Sequence, residues 1–324
     1  MKRYFKILCF FSAALFLLSA CGKKQENRKT LTGFYLNTVI TLTVYDASSG
    51  EILDHCMALA DYYEKMLSRT MEGSDIWNIN HSHGAPVAVH DETLELLRTA
   101  LFYSEMSEGF VDPSVGTLSI LWNFGDTNQK KVPSDTEIAE ALSHVNYQNI
   151  KISENYVSLT DPDACLDLGF IAKGYIADKM KEYLLAKGVE SAIINLGGNV
   201  LTVGSKPDGT PFKVGIQKPF APTGNTALSL EISDRSLVSS GNYERYFEKD
   251  GILYHHILST TDGYPIDSGL SQVTIISDKS VDGDALSTLC FILGYEKGKE
   301  LIDSLPDIEA VFITEDGEIY FSSV

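Results

Sequence analysis

The chain has 324 residues, a formal net charge of −18 at pH 7 and 44% hydrophobic residues. Because so acidic a chain repels nucleic acid and no basic patch offsets the charge, we exclude nucleic-acid binding. The length is sufficient for a large core, either in one domain or in two closely packed lobes.

The N-terminus is predicted to be a leader followed by a tether. An apolar run over residues 7–18 follows three basic residues, Lys2, Arg3 and Lys6. This run is too short for a stable membrane span and is typical of a signal peptide, here over residues 1–20. Residues 21–30 are polar and suit a short flexible tether.

The end of the leader predicts a location. Leu18-Ser19-Ala20-Cys21 resembles a bacterial lipobox, which implies cleavage before Cys21 and lipidation of this residue, with palmitate among the lipids. The chain is then expected to be anchored to a bacterial membrane on its extracytoplasmic side. A plain secretory signal with an accidental cysteine is the alternative.

The remaining cysteines do not form a disulfide framework. Cys56, Cys165 and Cys290 all lie in apolar surroundings, and three residues cannot all pair. We therefore expect buried free thiols.

The first half of the chain is predicted to be mainly helical. Residues 38–46 alternate as a strand does, and helices follow over residues 51–68 and 93–106. Pro133-Ser134-Asp135 begins a third helix, with Ser134 as its cap. A fourth helix is expected over residues 169–187.

The second half is predicted to be mainly strands. They are expected over residues 191–195, 200–204, 212–216, 228–232, 253–258 and 272–277. Helices return over residues 281–293 and 296–304, and Glu315-Asp316-Gly317 turns a last hairpin. Helices at both ends with strands between them favour an α+β fold over a doubly wound parallel sheet. Residues 31–324 form one domain in this interpretation.

A first motif lies at Asp167–Tyr175, DLGFIAKGY, where a strand is predicted to lead into a helix. A helix N-terminus suits an anion, Gly169 permits close approach to the backbone, and Lys173 adds a positive charge one turn in. Taken alone, these residues fit an ordinary capped helix equally well.

A second motif contains Asp284 and Thr288, four residues apart on a predicted helix and therefore on one face. A carboxylate and a hydroxyl are hard oxygen ligands suited to Mg²⁺. The pair alone is also explained by an aspartate that stabilises the helix dipole and a threonine that bonds its own backbone.

A third motif has two adjacent histidines, His255 and His256, before the turn Asp262–Pro265. Because neighbours on a strand point to opposite faces, at most one of them faces a given site. A histidine at a strand end is well placed as a general base, and a half-buried structural histidine is the alternative.

Two further motifs are rich in glycine and polar groups. Asn195–Asn199, NLGGN, is either a tight turn or a place where backbone N–H groups meet a ligand. Ser239–Phe247, SSGNYERYF, is also compatible with a plain hairpin.

In this order, the motifs resemble the ApbE family of FAD:protein FMN transferases over essentially all of residues 31–324. The resemblance rests on DLGFIAKGY, NLGGN, SSGNYERYF, HHIL…GYP and DALST. Weaker similarities lie at Leu36–Thr38, Leu67–Asn80 and Gly109–Gly125. The resemblance implies an ApbE-like fold, with mixed or antiparallel sheets and helices packed around them.

The resemblance also implies an activity. Family members bind FAD, use Mg²⁺ to split its pyrophosphate, attach FMN through a phosphoester to a Thr or Ser hydroxyl of a partner protein, and release AMP. The expected partners are FAD and a membrane-bound or exported redox protein that carries a Thr/Ser flavinylation segment.

The resemblance finally assigns site residues. Asp284 and Thr288 match the metal ligands, with the main-chain carbonyl of Phe170 as a third, and His256 matches the base. The residues that match contacts to FAD are Leu36, Thr70, Phe110, Val111, Asp112, Asp167, Lys173 and Ile257. Phe110, Tyr243 and Tyr264 are candidates for the flat apolar walls that an isoalloxazine needs.

The chain departs from the family pattern at three places. Ser259–Gly263 stands where Asp-Pro-x-Thr-Gly is frequent, which makes Asp262 an alternative base. Gly283 replaces a common alanine, and Phe170 replaces a usual alanine or glycine, which leaves its carbonyl available but crowds the neighbourhood.

Two other functions fit the same residues. One is an Mg²⁺-dependent FAD pyrophosphatase that gives FMN and AMP, which the sequence does not separate from the transferase because metal and base serve both. The other is a non-catalytic flavin-binding lipoprotein, against which the presence of Lys173, His256, Asp284 and Thr288 argues.

Overall fold

The structure is a computed structural model that describes residues 28–45, 50–125 and 131–323. The predicted signal peptide, Cys21 and most of the predicted tether lie outside the described residues. The first strand begins at Lys29, so the last two residues of the predicted tether belong to the sheet.

Helices and strands alternate irregularly along the described chain. The helices are α1 (Gly50–Leu67), α2 (Asp75–Asn80), α3 (Asp91–Met106), α4 (Gly116–Trp122), α5 (Asp135–Ser143), α6 (Ala172–Ala186) and α7 (Ser280–Asp303). The first seven strands are β1 (Lys29–Tyr35), β2 (Thr38–Val44), β3 (Val87–Ala88), β4 (Ile150–Ser153), β5 (Tyr156–Leu159), β6 (Ser191–Leu196) and β7 (Asn199–Gly204). The others are β8 (Phe212–Gln217), β9 (Thr226–Ile232), β10 (Ser236–Gly241), β11 (Tyr246–Lys249), β12 (Ile252–His255), β13 (Leu270–Ser277), β14 (Glu309–Thr314) and β15 (Ile319–Phe321).

The main sheet has eight strands in the order β1-β2-β6-β7-β10-β13-β14-β15. Its neighbouring strands are antiparallel throughout. The pairs β8–β9 and β11–β12 form separate hairpins, and β3, β4 and β5 form a small third sheet. The fold is therefore α+β with antiparallel sheets, as the sequence predicts.

Both faces of the main sheet are covered. Buried residues of α1, α3, α6 and α7 join Val273 and Ile275 of β13 in the largest core cluster. Ile276, the next residue of the strand, instead packs with Phe212 and Ile216 of the β8–β9 hairpin in a second cluster. Since adjacent strand residues point to opposite faces, the helices cover one face and the hairpin covers the other. All eight residues of β13 are buried as a result.

Near the C-terminus, one predicted boundary differs from the structure and one is confirmed. The strand predicted over residues 253–258 ends at His255, and Leu258 forms only an isolated bridge with Pro265. The two helices predicted over residues 281–293 and 296–304 are confirmed as the two parts of α7, which a non-helical residue, Gly294, separates with a φ of 78° and a ψ of 177°. The glycine permits this left-handed backbone without a steric cost.

The thiols are buried, as predicted. Cys56, Cys165 and Cys290 are free, and burial raises the pKa of Cys56 to about 12 and that of Cys165 to about 11. Within the described residues, no helix combines the length and the apolar character needed to cross a membrane.

Candidate active site

A cavity of about 300 Å³ lies where the start of α6 meets α7. Its walls come from the loop after α1, the segment before α4, the approach to α6, the segment after β12, and α7. The predicted site residues that line it are Thr70, Phe110, Val111, Asp112, Asp167, Phe170, Lys173, His256, Ile257, Asp284 and Thr288. Residues up to 218 positions apart in the chain therefore meet in one place.

Leu36 is the predicted contact that does not line the cavity. It has a left-handed φ of 55°, its amide donates to Glu64 Oε1 at 2.9 Å, and its side chain packs against the main core. The next residue, Asn37, lines the cavity instead. The tight turn between β1 and β2 rotates the two side chains to different sides.

The approach to α6 is held by Asp167. Its Oδ1 accepts from the amide of Gly169 at 2.9 Å, and its Oδ2 accepts from Nε of Arg69 at 3.1 Å. Arg69 is not among the predicted site residues, and it also lines the cavity and brings a second positive charge besides Lys173. The sequence signal for it is its position in the weak similarity at Leu67–Asn80.

Helices α6 and α7 approach closely at Gly174. Its amide donates to Oδ2 of Asp284 at 2.8 Å, and a Cβ atom on Gly174 would lie 2.3 Å from the carbonyl oxygen of Ser280. No larger residue fits without moving a helix. The glycine of the first motif is thus explained by helix packing, and this packing places Asp284 beside Lys173.

The electrostatic environment of Asp284 is that of a buried carboxyl near a cation. Only 3% of the residue is exposed. Burial raises the pKa of its carboxyl above the usual range, and the opposing influences are the charge of Lys173 and the hydrogen bond from Gly174. A cation beside this group would favour its ionised form.

The oxygen atoms around Asp284 fit a hard metal ion. Thr288 Oγ1 lies 3.1 Å from Oγ of Ser240, and within residues 28–45, 50–125 and 131–323 no hydrogen-bond donor reaches the carbonyl of Phe170. A carboxylate, a hydroxyl and a free carbonyl form the donor set that Mg²⁺ prefers. A separate group of potential ligands, His144, Asp161 and Asp163, does not line this cavity.

The two adjacent histidines have different environments. The Nε2 of His255 donates to the carbonyl of Ile266 at 2.9 Å, and its Nδ1 accepts from the amide of Ile257 at 3.3 Å. Both nitrogens are occupied and the residue is buried, which lowers its pKa. His255 therefore serves the structure, whereas His256 lines the cavity.

His256 has the properties of a neutral base. Its side chain is half-buried, and its Nδ1 is inaccessible and has no partner among the described residues. Burial, followed by the charges of Arg245, His255 and Lys173, holds its pKa well below the usual value. The imidazole is consequently neutral near pH 7 and can accept a proton.

Asp112 and Asp262 have less room for chemistry. The Oδ1 of Asp112 accepts from the amide and the hydroxyl of Ser114 at 2.7 and 2.6 Å, and its Oδ2 accepts from the amide of Tyr147 at 2.7 Å. Burial raises its pKa. Asp112 thus shapes the wall through internal hydrogen bonds. Asp262 lies outside the cavity, where its Oδ1 accepts from the amide of Tyr264 at 3.1 Å.

The apolar walls are supplied by Phe110 and Phe124. Of the three candidates for the walls, Phe110 lines the cavity, whereas Tyr243 and Tyr264 do not. The ring of Tyr264 packs edge-on against Trp122, and its hydroxyl donates to Asp135 at 2.6 Å. Side-chain direction after a turn is not readable from the sequence.

Comparison with known proteins gives a consistent result. A sequence profile of the ApbE family matches residues 36–312. A protein of Klebsiella pneumoniae (strain 342) named FAD:protein FMN transferase is 40% identical over 264 residues, which cover 81% of each chain. One of the same name from Treponema pallidum (strain Nichols) is 33% identical over 94% of this chain and 90% of its own.

Solved structures agree with the sequence relatives. The fold matches the ApbE protein from Thermotoga maritima with a TM-score of 0.85 and 31% identity, over 91% of this chain and 97% of the other. It matches the flavin transferase ApbE from Vibrio cholerae with a TM-score of 0.82 and 27% identity, over the same shares of the two chains.

Proposed function

The chain belongs to the ApbE family, and on this premise we propose that it is an Mg²⁺-dependent FAD:protein FMN transferase. The observation that supports this function most directly is the meeting of Lys173, His256 and Asp284 in one cavity. A phosphoryl transfer needs cations for the phosphates and a base for the attacking hydroxyl, and these three residues can supply or hold them.

The reaction forms one P–O bond and breaks another. The hydroxyl oxygen of an acceptor Thr or Ser attacks the phosphorus on the FMN side of the FAD pyrophosphate, the bond to the bridging oxygen breaks, and AMP leaves. The hydroxyl proton passes to His256, which is neutral before the reaction because its pKa is low. The negative pyrophosphate raises the basicity of this imidazole once FAD is bound.

The cationic groups act on the phosphates. Lys173 lines the cavity, where its charge opposes the upward shift that burial gives the pKa of Asp284 and contributes to the low pKa of His256. Asp284, Thr288 and the carbonyl of Phe170 would hold Mg²⁺, which when bound neutralises charge on the pyrophosphate and on the leaving AMP. Asp167 keeps Arg69 at the cavity wall, where it adds a further positive charge.

Product analysis distinguishes the transferase from a pyrophosphatase. The purified chain is incubated with FAD, Mg²⁺ and an unflavinylated protein domain of the class that carries FMN on threonine through a phosphoester. We expect AMP in equal amount to protein-bound FMN, seen as a fluorescent band on a denaturing gel under ultraviolet light. If AMP appears together with free FMN only, the chain is a hydrolase. If no AMP and no FMN are formed, the chain is a flavin-binding protein without catalysis.

We further propose that the chain works as a lipoprotein on the extracytoplasmic side of a bacterial membrane, attached through lipid on Cys21. The support is the leader sequence up to Leu18-Ser19-Ala20-Cys21. The acceptor would then be a membrane-bound or exported redox protein with a Thr/Ser flavinylation segment, within reach of an anchored enzyme.

A further inference from the structure

Two exposed aromatic rings and one half-buried ring form a surface cluster that the chemistry above does not use. The ring of Phe220 meets the ring of Tyr246 at a centroid distance of 5.4 Å and that of Tyr243 at 6.0 Å, both edge-on. Phe220 is 50% exposed and Tyr246 is 43% exposed. We call Phe220, Tyr243 and Tyr246 the aromatic cluster.

Phe220 is held in a conformation that a bulky residue rarely adopts. Its φ is +57°, in the left-handed region that favours glycine and asparagine. Such a backbone is strained for a residue with a side chain and persists only where the surroundings impose it.

The loop around Phe220 is held by two sets of hydrogen bonds, one in the backbone, where the amide of Ala221 donates to the carbonyl of Lys218 at 3.2 Å, and one from the side chain of Gln217. Its Nε2 donates to the carbonyls of Lys218, Ala221 and Pro222 at 3.1–3.2 Å, and its Oε1 accepts from the amide of Gly224 at 3.0 Å. The loop is thus ordered around this amide. It presents Phe220 to solvent with little conformational freedom left to lose on binding.

The aromatic cluster adjoins the mouth of the cavity. Tyr243 and Tyr246 flank Glu244 and Arg245 in the chain, and these two residues are exposed and also line the cavity. Their side chains therefore lie where the cavity opens to solvent. A polypeptide that enters the opening on the side of Glu244 and Arg245 therefore comes close to the cluster.

We propose that the aromatic cluster is the docking surface for the acceptor protein, and that it binds an apolar side chain close to the Thr or Ser that receives FMN. This proposal rests on the transferase function proposed above. Exposed, rigid aromatic anchors beside a polar rim are typical of the residues that dominate protein–protein binding energy. We identify the bound partner as the acceptor because the cluster lies next to the cavity, and the acceptor is the one macromolecule that must reach this cavity in the reaction.

The test is steady-state transfer to the unflavinylated threonine-containing acceptor domain used above. Phe220→Asn removes the ring and relieves the left-handed strain, so we expect it to fold at least as well as the parent protein. We expect the KM for the acceptor to rise about tenfold or more, with the KM for FAD and the slow hydrolysis of FAD in the absence of acceptor unchanged. Phe220→Tyr keeps the ring and should restore the low KM.

The matched control is Phe321→Thr, which removes a ring of 52% exposure on the edge strand β15. It should leave the KM for the acceptor unchanged. If the KM for the acceptor is unchanged in both Phe220→Asn and Tyr246→Ser, the proposed docking surface is wrong, whereas the proposed transferase function is not affected. If the parent protein gives only free FMN, the transferase function fails, and the docking surface falls with it.

Two other occupants of the aromatic cluster have their own measurements. Both measurements apply to a Phe220→Asn protein whose KM for the acceptor is unchanged. If this substitution converts a dimer to a monomer in sedimentation, the surface binds a second copy of the chain. If it abolishes binding to phosphatidylglycerol vesicles, the surface binds a membrane. Either result contradicts the proposal.

Discussion

His255 and His256 are neighbours in the chain with different surroundings. His256 faces the cavity with a low pKa, and His255 has both ring nitrogens hydrogen-bonded in the interior. We therefore assign the base from the position of the ring, since only the ring of His256 reaches the cavity. The family resemblance chose the same residue, and the structure supplies the physical reason.

We expect His256→Ala to lower FMN transfer by about 10²–10⁴-fold while FAD still binds, because a general base contributes about that much. His255→Ala is the matched control. It should mainly lower the melting temperature, since it leaves the carbonyl of Ile266 and the amide of Ile257 unpaired in the interior. The measurement is the initial rate of FMN transfer, with the FAD affinity of each variant determined in parallel. An inactive His255→Ala variant of normal stability would show that His255, and not His256, is the base.

Asp284→Asn should abolish Mg²⁺-dependent turnover with little loss of stability. The amide oxygen can still accept the hydrogen bond from Gly174, whereas the charge that attracts the metal is lost. Thr288→Val should act in the same direction but more weakly, because a neutral hydroxyl contributes less than a carboxylate. The measurement is the rate as a function of Mg²⁺ concentration. Normal Mg²⁺ dependence in Asp284→Asn would remove this residue from the metal site.

Lys173→Ala should weaken the binding of FAD more than the binding of riboflavin, because only FAD carries phosphates for the ammonium to meet. Fluorescence titration with both ligands measures the difference. Lys179→Ala is a suitable control, since Lys179 lies on the same helix, α6, and pairs with Glu95 away from the cavity. Equal losses for the two ligands would place Lys173 outside the phosphate site.

At the scale of elements, the site depends on how α6 sits against α7. Gly174 allows the close approach, and Asp178, one turn further along α6, accepts from the amides of Ser280 and Val281 at 2.8 and 2.9 Å. These are free N–H groups of the first turn of α7, so a side chain from another helix caps it. The two contacts together fix the helix that carries Asp284.

Asp178 should also give the protein a measurable pH dependence. Burial raises the pKa of its carboxyl to about 6, whereas the unfolded value is about 3.9. The folded state binds this proton more tightly than the unfolded state, so protonation of Asp178 stabilises the fold. This contribution to the free energy of unfolding is fully present below about pH 4 and is lost as the pH rises through about 6, by about 2–3 kcal/mol in total. The free energy of unfolding, measured against pH for the parent and Asp178→Asn, should show this difference. Parallel curves would exclude Asp178 as its source.

At the scale of the whole molecule, the described domain is a two-faced antiparallel sheet that carries its catalytic groups on one side, among the helices. The polar tether would attach this domain to a membrane through lipid on Cys21, and the open cavity would then be presented to a partner on the same surface. Anchoring raises the effective concentration of two proteins held on one membrane.

Replacement of Cys21 by Ala tests this arrangement. We expect Cys21→Ala to leave the membrane fraction or to accumulate as an unprocessed precursor, because the residue that receives lipid is lost. Cell fractionation with immunoblotting and mass spectrometry of the N-terminus provides the readout, and Cys56→Ala is the control. A Cys21→Ala protein that remains in the membrane with normal processing would contradict the lipoprotein.

The sequence by itself determined the family, the α+β class and most of the helices and strands. Residues such as Ser134 and Glu137, which form the expected capping box, act over a few positions and are readable from local patterns. The family motifs likewise identified Lys173, His256 and Asp284, because their order in the chain is specific. The same reasoning overextended the strand that ends at His255, and it did not distinguish Leu36, which packs into the core, from Asn37, which lines the cavity, because a turn decides where these side chains point.

Only the tertiary structure decided how these residues act together. Gly174 is required because α6 and α7 touch there, Asp178 caps a helix about 100 residues later in the chain, and Arg69 meets Asp167 across 98 positions. Such contacts depend on the packing of distant elements, and no local pattern encodes their partners. The left-handed Phe220 belongs to the same class, since its ring meets Tyr243 and Tyr246, which come from a later part of the chain.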